Sequence, residues 1–79
     1  MINFTELYDQ SIDSLFAFGA RMTNDREMLK DCIQDVFVKL YTKRGELENV
    51  SNIKSYLYVS LRNRLNDEFR HNSRISEND

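Results

Sequence analysis

Two stretches of this chain carry side chains whose types and spacing can do chemistry. The first is Asp31-Cys32-Ile33-Gln34-Asp35-Val36-Phe37, and the second is Tyr56-Leu57-Tyr58 followed by Arg62-Asn63-Arg64-Leu65-Asn66-Asp67. On a helix turning about 100° per residue, Asp31, Gln34, Asp35, Val38 and Thr42 share one side. Cys32, Ile33, Val36 and Leu40 take the other. Carboxylates and amides on an outer face are ordinary solvated surface, but Val38 among them is not, because a β-branched apolar residue adds nothing to exposed helix propensity. The face therefore reads either as plain surface or as a protein-binding face. In the second stretch Tyr56, Asn63 and Arg70 fall in a row, with Val59 and Asn66 beside it and Tyr58 and Arg62 at its border. An aromatic ring can stack on an unpaired base, an asparagine amide can donate and accept at a base edge, and arginine can neutralise a phosphate. The competing reading has the tyrosines packed with their hydroxyls at the rim and the polar residues as surface.

Other chemistries find no residues to work with. His71 is the single histidine and Cys32 the single cysteine, far apart in sequence, so no metal-ligand set can be assembled. The Ser, His and Asp residues fall in no pattern that activates a nucleophile, and no glycine-rich phosphate loop is present. A chain of 79 residues buries a modest core, with little room for a catalytic cleft. The expectation is a binding domain, not an enzyme, with no cofactor and no small-molecule substrate. No apolar run approaches the roughly 20 residues that span a bilayer, and Met1-Ile2-Asn3 does not begin a signal peptide. One unpaired cysteine on an apolar stripe suits a reducing cytoplasm. The formal net charge is −2, which argues against a free-standing, high-affinity nucleic-acid binder. Its distribution is uneven. Residues 1–50 hold six Lys/Arg against nine Asp/Glu, whereas residues 54–74 hold five basic residues against Asp67 and Glu68. That asymmetry fits an acidic half meeting a protein and a basic segment meeting phosphate.

The elements that must position these residues are all helical. Apolar residues recur at 4, 7, 8, 12, 15, 18 and 22, a stripe at helical period that Asn3 or Thr5 can cap. The periodicity leaves open one helix or two divided near Gln10-Ser11. Asn24 with Glu27 resembles a capping box and opens a helix to about Arg44, with Leu29, Ile33, Val36, Phe37 and Leu40 inward. Gly45 is expected to close it in the left-handed conformation. Glu46 to Asn52 reads as a polar loop holding Leu47 and Val50. Ser51 or Asn52 then caps a helix with Ile53, Leu57, Leu61, Leu65 and Phe69 at steps of four. Past Arg70 the apolar periodicity is lost. The fold expected is an all-α compact bundle of three to four helices over residues 1–71, with 72–79 a flexible tail or the start of a linker.

These residues resemble region 2 of bacterial RNA polymerase sigma factors, specifically the extracytoplasmic-function (ECF) group of the sigma-70 family. Asp31-x-x-Gln34-Asp35-x-Phe37 is similar to the family's Asp-x-x-Gln-Glu/Asp-x-Phe signature. Tyr56-Leu57-Tyr58-x-x-x-Arg62-Asn63-x-x-x-Asp67 resembles its Trp-Leu-Tyr-x-x-Ala-x-Asn-x-x-x-Asp run, with Tyr56 in place of the common Trp. Thr23-Asn24-Asp25-Arg26-Glu27 looks like the turn before the family's second helix, and the correspondence runs from Phe4 to Arg74. The resemblance implies that Asp31, Gln34, Asp35 and Val38 dock on the clamp helices of the polymerase β′ subunit. It also implies that the Glu46–Asn52 loop and the helix after it recognise the promoter −10 element, capturing a flipped non-template base. Leu47, Asn49 and Asn52 in and beside that loop would contact DNA. Asn63 matches the family's helix residue at the base, and Asn66 lies beside it. Tyr56 and Tyr58 match aromatics near the point of strand separation, and Lys54, Arg62, Arg64 and Arg70 are the phosphate candidates. An anti-sigma partner is implied as well. Region 4, the −35-reading helix-turn-helix, is absent from the sequence, so the expectation is an isolated domain of a longer factor. The second reading is a small helical interaction module or adaptor that never touches DNA.

Overall fold

The computed structural model describes residues 3–47 and 51–77, with side chains through Asn72. Its helices are α1 (Phe4–Ala20), α2 (Arg26–Thr42), α3 (Arg44–Leu47) and α4 (Ile53–Glu77). The three long helices pack pairwise, each against the other two, and α3 leans on α2. The architecture is the all-α bundle expected, but its fourth member is α3, which takes in the expected helix end at Arg44-Gly45 and the first two residues of the Glu46–Asn52 segment read as loop.

α1 is a single helix across Gln10-Ser11, braced where Gln10 Nε2 donates to Glu6 Oε1 at 3.1 Å. Its cap is Asn3, whose Oδ1 accepts from the Glu6 backbone at 3.0 Å. The cap of α2 is Asp25, one residue beyond the Asn24 expected. Thr23 Oγ1 accepts from the Asp25 N–H, and Asp25 Oδ1 accepts from the Met28 N–H, both at 3.0 Å. The shift has an electrostatic reason: a carboxylate next to the positive end of a helix stabilises it more than a neutral amide does.

Gly45 does not take the left-handed conformation expected; it lies within α3, and no described residue has positive φ. After Lys43 the backbone turns again, and the Lys43 carbonyl accepts from the N–H groups of Glu46 and Leu47 at 3.0 and 3.2 Å. The cause is Leu47. Its side chain is 7% exposed and belongs to the core, and burying a leucine is worth about 2 kcal/mol. Asn52 caps α4, its Oδ1 accepting from the Ser55 N–H at 3.0 Å. The backbone stays helical through Glu77, beyond the end of apolar periodicity at Arg70.

The core joins Leu15 of α1, Leu29, Cys32, Ile33, Val36 and Leu40 of α2, Leu47, and Leu57, Leu61 and Leu65 of α4. The spacing of four on α4 makes its leucines one continuous ridge. Gly19 lets α1 and α2 approach closely. A Cβ there would overlap the Leu29 side chain, whose Cγ and Cδ2 lie 3.2 Å from that point.

Candidate functional site

With the leucine rows turned inward, the opposite rows of α2 and α4 are left facing solvent. On α2, Asp31, Gln34 and Val38 are exposed and Asp35 is half-buried. Val38 is 64% exposed, the most open of the large apolar side chains described. No packing inside the domain accounts for it.

Two grooves flank this face. Toward α1 lies an apolar groove of about 280 Å³, lined by Phe4, Thr5, Tyr8, Phe37 and Tyr41. The Phe4 and Tyr41 rings meet edge-on at 5.2 Å, and Tyr8 and Phe37 stand 4.9 Å apart. Arg44 lies over Tyr41, 4.2 Å from the ring centroid, and donates to the Tyr41 carbonyl. Toward α4 lies a mixed groove of about 200 Å³, whose walls include Asp35, Lys39, Tyr56, Ser60, Asn63, Arg64 and Asp67. This second groove brings residues from both sequence stretches together. Tyr56 and Asn63, one expected to stack and the other to read a base edge, share it with Asp35 of the protein-facing row.

Arg64 closes the groove. Its Nε donates to Asp35 Oδ2 at 3.1 Å, a second guanidinium nitrogen lies 3.1 Å from the same oxygen, and a third reaches Glu68 Oε1 at 2.7 Å. The Arg64 side chain is 26% exposed. The Glu68 hydrogen bond, reinforced by Asp35, raises its pKa further above the ordinary arginine value despite the opposing effect of burial. Arg64 is thus engaged inside the domain, whereas the sequence marked it as a phosphate contact. Arg70, another phosphate candidate, pairs with Asp67 one turn away. Lys54 and Arg62 are exposed, and no ion pair among the described residues includes them.

The remaining expected contacts divide. Asn63 and Asn66 are exposed on α4. Tyr56 and Tyr58 are half-buried against the core, and Tyr58 meets Phe18 edge-on at 5.2 Å. The tyrosines therefore pack as in the competing reading, while Tyr56 still lines the groove. Asn52 is exposed, with its side-chain oxygen committed to the α4 cap. Leu47 is a core residue, so its expected contact with DNA meets a side chain already buried. Asn49 lies outside the described residues.

A third pocket, about 120 Å³ between α1 and α4, was not foreseen. Gln10, Ser11, Ser14, Lys54 and Tyr58 line it. Ser11 is 6% exposed, and its hydroxyl has no hydrogen-bond partner. The signal was a serine set among the apolar positions 8, 12 and 15 of α1. Cys32 is buried in the core. Burial pushes its thiol pKa up, Arg64 opposes this, and Glu68, Asp35 and Asp31 add to the rise. Among the described residues no group of three or more His, Cys, Asp or Glu side chains could hold a metal ion. No described helix is long and apolar enough to cross a membrane.

Fold and site together define a small helical binding domain, with its polar rows set on two adjacent helices over a shared leucine core. The Sigma-70 region 2 family model matches residues 7–75, and the chain belongs to that family. Domains of this kind are not enzymes: they bind RNA polymerase core and promoter DNA and take part in promoter opening. No curated protein and no solved structure matches the chain.

Proposed function

We propose that the chain is the −10-recognition and strand-opening domain of an ECF-like sigma factor. In this reading Asp31, Gln34, Asp35 and Val38 dock on the β′ clamp helices. The segment from Glu46 to Asn52 and the outer row of α4 engage the non-template strand of the −10 element. Asn63 reads a base edge, with Tyr56 and Asn66 beside it, and Lys54 and Arg62 meet phosphates. An anti-sigma protein would compete for these same rows, and the domain would work in the cytoplasm. The domain spans residues 1–71, and 72–79 serve as a tail or the start of an interdomain linker.

The observation that carries the reading is the exposure of Val38 within the Asp31–Gln34–Asp35 row. An apolar side chain is left in water on the face that the resemblance assigns to polymerase, on a helix whose other side is fully used by the core. The placement of the two rows on different helices supports the rest, since Asn63 lies on α4 and Gln34 and Val38 lie on α2.

The test uses one variant for each surface. Gln34→Ala with Val38→Glu changes only exposed side chains and is expected to weaken binding to a β′ clamp-helix fragment at least tenfold while leaving the thermal melt in place. Unchanged affinity would sink the docking assignment. Asn63→Ala is expected to weaken binding to a single-stranded −10 oligonucleotide by roughly 1–3 kcal/mol and to spare the β′ fragment. Equal loss on unrelated oligonucleotides would remove the base-reading role.

A further inference from the structure

Among the described residues, Ser11 stands alone in burying a side-chain polar atom that has no hydrogen-bond partner. It is 6% exposed and lies on α1 among the apolar positions Tyr8, Ile12 and Leu15. Alanine or leucine would be the better helix former here, and neither would take a bare hydroxyl out of water. Serine at this position therefore destabilises the domain, and the fold gains nothing from its hydroxyl. The pocket of about 120 Å³ between α1 and α4, which Ser11 lines, gives that hydroxyl somewhere to act.

The lining suits one chemistry. Ser14 follows Ser11 by three residues on α1, and Lys54 and Tyr58 stand four apart on α4, so each pair falls on one side of its helix. Two hydroxyls, a phenol and an ammonium can all donate hydrogen bonds, whereas no carboxylate lines the pocket. Gln10 lines it too, but its amide nitrogen is turned to Glu6. Lys54 is the second residue of α4, so its ammonium and the positive end of the helix dipole act on the same place. It is exposed and enters no ion pair among the described residues. The volume falls well below the roughly 300 Å³ at which pockets for drug-sized ligands begin. That leaves a small anionic group and excludes a nucleoside.

We infer that this pocket seats one phosphate of the bound strand, with Ser11 and Ser14 donating from α1 and Lys54 supplying the counter-charge from α4. Movement of the exposed rim side chains Gln10, Ser14 and Lys54 uncovers the Ser11 oxygen as the phosphate enters. The inference rests on the proposed DNA-binding reading. It extends the contact with the strand from α4 onto α1, a helix to which neither motif stretch gives a role.

The experiment follows backbone amide NMR shifts and fluorescence anisotropy on the 79-residue chain. Inorganic phosphate, exchanged for chloride at constant ionic strength, is expected to shift the amides of Ser11, Ser14, Lys54 and Tyr58 together and to saturate. A fluorescent single-stranded −10 oligonucleotide is expected to shift the same set. Ser11→Ala should bind both about tenfold more weakly, the loss expected when one hydrogen bond to a charged group is removed. It should melt at the same temperature or higher, because a bare buried hydroxyl is gone and alanine favours the helix. Its salt slope on the oligonucleotide should stay unchanged, whereas Lys54→Gln should flatten that slope by about 0.7, the value of one phosphate contact on a single strand. Wild-type oligonucleotide affinity in Ser11→Ala would overturn the inference and leave the DNA-binding assignment standing. Inorganic phosphate then separates the remaining occupants: lost shifts mean a site for the free anion, and shifts absent from wild type mean an ordered water only. A lower melting temperature for Ser11→Ala would also overturn it, since the hydroxyl would then have a partner in the folded chain. Absence of oligonucleotide binding by wild type at about 50 mM salt would remove the DNA-binding assignment itself, and the inference with it.

Discussion

The side chains of Asn52, Arg64 and Arg70 share a property that residue type alone cannot convey: each is engaged within the domain. Asn52 caps a helix, Arg64 ties α4 to α2, and Arg70 pairs with Asp67. A sequence shows that an arginine can neutralise a phosphate, but not that two carboxylates have reached it first, one of them 29 positions away. Cys32 is the opposite case. Its place on the apolar stripe indicated a core residue, and it is 1% exposed. Since burial also raises its pKa, the nucleophilic thiolate is scarce. Alkylation by iodoacetamide at pH 8 is expected to run roughly a hundredfold or more slower than for a free thiol and to recover the free rate in urea. Rapid labelling of the folded chain would contradict the packing. Because burial raises its folded pKa, the thiol's contribution to stability is fully present below its unfolded pKa and is lost as pH rises toward the folded one.

At the scale of elements, helix existence and the inward rows were legible because both follow from a repeat of 3.6 residues. What escaped was local. Asp25 displaced Asn24 as cap, and α3 formed where composition suggested a polar loop. In each case one side chain decided: a charged cap near a helix end, and a leucine with a core within reach. Gly19 shows why helix spacing is also hard to read from sequence, since its use depends on Leu29 lying opposite. Alanine there gains about 1 kcal/mol of helix propensity but meets a leucine held by Cγ as well as by its methyl ends, at a cost of about 1–3 kcal/mol. Gly19→Ala is therefore expected to lower the unfolding midpoint in urea, whereas the same change at Gly45, where an added Cβ meets nothing within 4 Å, should not lower it. A raised midpoint for Gly19→Ala would mean that the α1–α2 approach is looser than described.

For the whole molecule, charge is the governing quantity. A net −2 spread over 79 residues opposes a polyanion, and intramolecular pairing of Arg64 and Arg70 reduces the cations ready to meet one. Of the four phosphate candidates Lys54 and Arg62 remain, so two phosphate contacts at about 0.7 each predict a log–log salt slope near −1.4 for single strands. A slope near zero would argue for the adaptor reading, and one beyond about −3 would mean that the paired arginines are recruited as well. The two motif stretches were legible in the sequence because each keeps its own helical register. Their meeting in one groove was not, because it depends on how α2 and α4 pack.

The leucine ridge of α4 has a consequence for how such a domain can change over generations. Leu57, Leu61 and Leu65 are 0–1% exposed and carry the packing, so Arg62, Asn63 and Asn66 outside them can mutate with little effect on whether the chain folds. Binding preference can drift on that outer row while the scaffold stays fixed. Position 64 is the exception, because a substitution there alters the seam between α2 and α4 along with the surface, and it should tolerate the fewest replacements of any polar position on the helix.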